Sequence, residues 1–228
     1  MSYKEIETLC LSSEVTYKEA KKVIEPIFDE WWDKKFKDQA VDAAELLDVL
    51  LAIAKNKSRI SNYTLDEFLR IIAKWGYQIY WVEEEWEASK FEAFKAKIID
   101  FVLTMLTTIK RSKTKTSDTL RSYLLRFLAN MLRMELHAEF LPILEDSIMV
   151  MNTDEQFFAL EGLNNYFSWK GNKLNKELIS KIDEIVEKTT VRSNASNALD
   201  VLINAGVIQQ INAVFAMDHW KDKNRGNW

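Results

Sequence analysis

Glycine, proline and cysteine are scarce in this sequence, and each scarcity excludes something. Five glycines and two prolines punctuate 228 residues. That is too few for a β-rich fold with many tight turns and suits long helices joined by short loops. Cys10 is the only cysteine, so no intramolecular disulfide and no thiolate metal cage can form, and a reducing cytoplasm is the expected setting. The two histidines, His137 and His219, lie far apart and lack HExxH spacing. The five glycines are isolated from one another, so there is neither a P-loop nor a dinucleotide fingerprint. Residues 1–7 carry early acids instead of an apolar run, unlike a signal peptide. The greasiest stretch, residues 98–109, contains Asp100 and three threonines and is too short to span a bilayer. No cofactor, no metal and no membrane association are expected. No coupled nucleophile, base and oxyanion set suggests catalysis.

What is present suits a folded chain. Hydrophobic residues make up 47% and charged residues 29%, too balanced for a disordered polar chain or a membrane protein. The formal charge of -4 argues against gripping a polyanion, which usually needs a basic face. The acidity is uneven: residues 1–100 hold 15 Lys/Arg against 20 Asp/Glu, and the remainder 16 against 15.

Apolar residues recur at helical spacing. Ala40, Ala44, Leu47, Leu51 and Ala54 form one stripe, and Phe91, Phe94, Ile98, Phe101, Met105 and Ile109 a second. Leu120, Leu124, Phe127, Leu128 and Met131 form a third, and Leu174, Leu178, Ile182, Ile185 and Val186 a fourth. Thr16 with Glu19, Thr64 with Glu67 and Thr153 with Gln156 have capping-box form. These signals predict ten helices, over 16–38, 40–56, 64–82, 88–110, 117–134, 137–150, 154–168, 175–188, 193–205 and 207–221. Pro26 falls inside the first and predicts a kink or a restart. Pro142 suits a first turn, where its missing N–H costs nothing. The chain reads as one all-helical domain, 1–228, with a sub-boundary at the polar segment 110–116.

Ten helices in antiparallel pairs suggest a repeat, and about 40 residues per unit is the HEAT and armadillo range. Ala159-Leu160-Glu161-Gly162-Leu163 aligns with Ala198-Leu199-Asp200-Val201-Leu202 39 residues later. Ala195-x-x-Ala198-Leu199-x-x-Leu202, followed by Ala205-Gly206-Val207-Ile208-x-x-Ile211-x-x-Val214-Phe215, resembles an armadillo helix passing through a glycine turn into the next. Leu141-Pro142-x-Leu144 is similar to the opening of a HEAT second helix. The likeness covers mainly residues 117–221. It implies an all-α solenoid of HEAT or armadillo type acting as a binding scaffold, since such families mostly recognise proteins or nucleic acids.

Two clusters stand out as candidate contact sites. The first combines aromatics with acids: Asp29, Glu30, Trp31, Trp32 and Asp33, and then Trp81, Glu83, Glu84, Glu85 and Trp86. Acids steer a cationic protein and tryptophans anchor it, so a basic protein partner is expected there. The second is basic: Lys110, Arg111, Lys113, Lys115, Arg121 and Arg126, with Arg133 further along. Its ordinary role is to complement a helix C-terminus; its functional alternative is a phosphate-contacting strip. His137, between Glu135 and Glu139, reads as a solvated helix-end histidine, because residues two apart on a helix do not face each other.

The leading expectation is a non-enzymatic protein-binding module. In general character the chain resembles the small, acidic, helical immunity proteins that neutralise bacterial toxins. The alternative is a nucleic-acid-binding or base-repair enzyme on the same scaffold, similar in size to the helical-repeat alkylpurine glycosylases. A purely structural oligomer comes third.

Overall fold

A computed structural model of the chain describes Glu5, Thr8, Lys18, Lys22, Leu69, Arg70, Ala73, Gly76 and residues 79–82, 87–109, 115–150, 153–169 and 173–225. Among these residues seven α-helices and two 3-10 turns form the regular structure, and none lies in a strand. The helices are α1 (Ala88–Thr108), α2 (Lys115–Met131), α3 (Leu141–Ile148), α4 (Thr153–Ser168), α5 (Lys176–Lys188), α6 (Arg192–Asn204) and α7 (Gln210–Lys223). The all-α expectation holds for the described residues. Lys18 and Lys22, in the first predicted helix, are helical; the rest of the predicted helices before residue 64, with the stripe from Ala40 to Ala54, the kink at Pro26 and the capping boxes at Thr16 and Thr64, lies outside the described residues. Two compact units divide the chain, residues 1–127 and 128–228.

In the first unit, Leu69, Ala73, Gly76 and Ile79 are buried at helical spacing. Within the predicted helix 64–82, Ile79–Val82 form a 3-10 turn, a form common at helix ends. α1 buries all of the stripe from Phe91 to Met105, and Ile109 is buried just beyond it. Lys95 lies on the same face. Its stem is covered, and Nζ reaches Glu92 at 2.9 Å while standing 5.3 Å from the Phe91 ring centre. This is the snorkelling that lets a long cation share an apolar face.

The second unit is organised by helix pairing. α4 packs on α3 and α6, and α6 packs on α4, α5 and α7. α3 and α4 are antiparallel: the Gln156 side chain donates to Ile148 O at 2.8 Å, while Gly162, later in α4, faces Leu144, earlier in α3. α4 and α6 run parallel. At one end Asn194 Nδ2 donates to Thr153 O (3.1 Å) and Gln156 Oε1 (2.8 Å), and at the other Asn204 Nδ2 donates to Asn164 Oδ1 at 2.6 Å. These bonds join residues 41, 38 and 40 apart, and they straddle the 39-residue alignment of Ala159–Leu163 with Ala198–Leu202. Ala159, Leu160 and Leu163, and their counterparts Ala198, Leu199 and Leu202, are all buried. A similar step links the end of α2 to α4. Asn165 donates to Ala129 O at 2.8 Å and Trp169 Nε1 to Leu132 O at 2.7 Å, across 36 and 37 residues.

Local chemistry explains the helix ends. Pro142 sits in the first turn of α3 as predicted. Thr153 begins α4 instead of capping it, and the predicted capping box gives way because Gln156 is drawn to Ile148 and to the buried amide of Asn194. α6 ends in a Schellman motif. Gly206, at φ 71, donates to Ile203 O and Val207 N donates to Leu202 O, each at 2.9 Å. α7 therefore starts at Gln210 and not at the predicted 207, because the N–H groups of Val207 and Ile208 are both turned back to Leu202 O.

Gly162 marks where α3 and α4 approach closely. A Cβ there would lie 2.8 and 3.0 Å from the two terminal carbons of Leu144, which is itself fully buried. Alanine brings a helix-propensity gain of about 1 kcal/mol, and forcing Leu144 aside in a filled core costs about 1–3 kcal/mol. Gly162→Ala should therefore lower stability by about 1 kcal/mol in urea denaturation. A stabilised variant would show that Leu144 can move freely.

Candidate interaction surface

Most of the acidic and aromatic cluster residues lie outside the described residues: Asp29, Glu30, Trp31, Trp32, Asp33, Glu83, Glu84, Glu85 and Trp86. Trp81 falls in the 3-10 turn Ile79–Val82. Just after the second cluster, Glu87 takes the N-cap position of α1. Its carboxylate accepts from Ser89 Oγ at 2.9 Å and pairs with Lys90 at 3.3 Å. Those contacts, the Ser89 bond first, hold its pKa below the usual range.

The basic strip is divided by its geometry. Lys110, Arg111 and Lys113 lie outside the described residues, and Lys115 opens α2. Arg121 is only 6% exposed. Its guanidinium donates from Nη1 to Leu106 O (2.7 Å) and Ile109 O (2.9 Å), the last carbonyls of α1. It serves its own protein's backbone, which removes it from a phosphate-contacting role. Arg133 pairs with Glu161. Arg126 is exposed.

His137 departs from its expected solvated state. It is buried, stacked on Phe140 with ring centres 4.7 Å apart. Glu135 lies 3.5 Å from Nε2 and Glu139 3.2 Å from Nδ1. The helical rule that separates residues two apart does not apply, because His137 is extended, with φ -119 and ψ 91. It sits at the N-cap of the 3-10 turn Ala138–Phe140, which carries Glu139. Among the described residues no group of three or more His, Cys, Asp or Glu side chains gathers in a way that could hold a metal.

The surface that sequence reasoning missed is on α7. Within this helix only Ala213 and Trp220 are buried. Trp220 Nε1 donates to Thr189 O at 2.8 Å, and Lys223 Nζ reaches Glu187 O at 2.6 Å. At about 100° per residue, Ile211, Val214 and Phe215 lie outside the buried face of Ala213 and Trp220, Ile211 and Phe215 opposite it and Val214 to one side. They are 54%, 51% and 66% exposed, and Val207 in the preceding turn is exposed as well. The same stripe continues as Asp218, Lys221, Asp222 and Arg225 and is paired within itself, Asp218 with Lys221 at 2.8 Å and Asp222 with Arg225 at 3.1 Å. A signal was present in the apolar positions of residues 207–215, which fill two arcs of the helix where a surface helix fills one.

No protein-family model, curated protein or solved structure matches the chain. Among the described residues no helix is long and apolar enough to cross a membrane.

Two carboxyls of the second unit are held above the usual range. Burial raises the pKa of Asp200 on α6, and burial followed by the charge of Glu187 raises that of Asp183 on α5. A carboxyl with a raised folded-state pKa contributes stability fully below its unfolded pKa and loses it as pH rises through the folded one. Asp200→Asn should thus raise the unfolding midpoint at pH 7, by no more than about 0.5 kcal/mol in equivalent stability. The difference should vanish below about pH 4, where the wild-type carboxyl is protonated. Thermal melts at the two pH values check both signs.

Proposed function

We propose that this protein is a non-enzymatic, protein-binding helical-repeat module, a HEAT- or armadillo-like α-solenoid that neutralises a basic protein such as a bacterial toxin in the cytoplasm. The observation that supports this reading most is the parallel pairing of α4 with α6 through bonds 38 to 41 residues apart. That step equals the length of one HEAT or armadillo hairpin. Stacked hairpins of this kind build continuous faces that serve recognition. A basic partner is favoured by the acid surplus of residues 1–100, much of it beside the tryptophans of residues 29–33 and 81–86. The nucleic-acid alternative has lost Arg121 to the end of α1.

The test starts from affinity capture in lysate of the native source. The captured protein is then purified, and its association is measured against wild type and the Glu83→Lys/Glu84→Lys/Glu85→Lys variant. Acids on a rim act mainly on the association rate, over a Debye length of about 8–10 Å. The triple reversal should slow association at low salt by about tenfold and flatten its salt dependence, a change well within the range of electrostatic steering. An unchanged rate with an intact fold would remove the acidic cluster from the interface. An electrophoretic shift with duplex DNA that weakens steeply with salt would favour the nucleic-acid reading instead.

A further inference from the structure

We draw no further inference here: the strongest candidate, the exposed apolar patch that Ile211, Val214 and Phe215 form on α7 with Val207 in the turn before it, carries none, because nothing in the structure shows what covers it.

Discussion

Trp220→Ala should release α7 from the protein and cost about 3–5 kcal/mol, the range for deleting a buried large aromatic. The effect is large because α7 has so little else to hold it: Ala213 is the only other buried residue of the helix. Trp220 is 3% exposed, and its indole closes a bond to Thr189 O between α5 and α6. Removing it empties the main contact and leaves that carbonyl without this donor. Asn224, buried just past the helix, bonds back to Trp220 O at 2.9 Å and follows the same turn. Loss of helical circular dichroism and fast amide exchange confined to residues 210–223 would report the release. Trp220→Phe separates packing from hydrogen bonding, because it keeps much of the ring and should lose only about 1 kcal/mol. A Trp220→Ala protein within about 1 kcal/mol of wild type would mean that α7 is held by contacts other than these.

Arg121→Met should cost about 3 kcal/mol, although it keeps the length and apolar character of the stem. The last carbonyls of a helix have no partner within it. α1 ends at Thr108 beside the buried side chain of Ile109, and the Arg121 guanidinium bonds to Leu106 O and Ile109 O. Methionine strips these carbonyls of a charge-assisted donor, and leaving such groups unpaired in a buried setting is the expensive part. A cation at a helix C-terminus also gains from the helix dipole. Arg121→Lys should fall between the two, because one ammonium replaces a planar fork poorly. Urea denaturation ranks the three proteins. Arg121→Met at the wild-type midpoint would show that the α1 terminus does not depend on this side chain.

The parts of the fold legible in the sequence follow from local rules. The stripes Phe91 to Ile109 and Leu120 to Met131 are buried throughout, since helical periodicity alone decides which face turns inward. Pro142 in a first turn and Gly206 at a helix end follow from the missing N–H of one and the missing Cβ of the other. The 39-residue alignment could be read because matched helices carry similar small and branched residues. What escaped depends on neighbours distant in the chain. Nothing near Arg121 in the sequence shows that α1 ends beside it, and nothing near Asn194 shows that its amide bridges to Thr153 and Gln156. His137 was misread because a helical rule was applied to extended backbone. As for the candidate site, its acids and tryptophans were visible by composition and clustering, but almost all lie outside the described residues. The α7 face was hidden by its own residues, since Ile211, Val214 and Phe215 pass for core positions when read by spacing alone.

The parallel register of α4 and α6 is the claim on which the repeat reading, and with it the binding-scaffold reading, depends. It is tested most directly by pairs of cysteines in a Cys10→Ser background. Asn164 and Asn204 touch through their side chains at 2.6 Å, so Asn164→Cys/Asn204→Cys should form an intramolecular disulfide readily, given that disulfides need Cα atoms within about 7 Å. Asn164→Cys/Ser196→Cys should not, because in a parallel pair Ser196 lies near the opposite end of the contact from Asn164. Rapid bridging of the 164–196 pair with none at 164–204 would mean that the two helices run antiparallel, and would contradict the account.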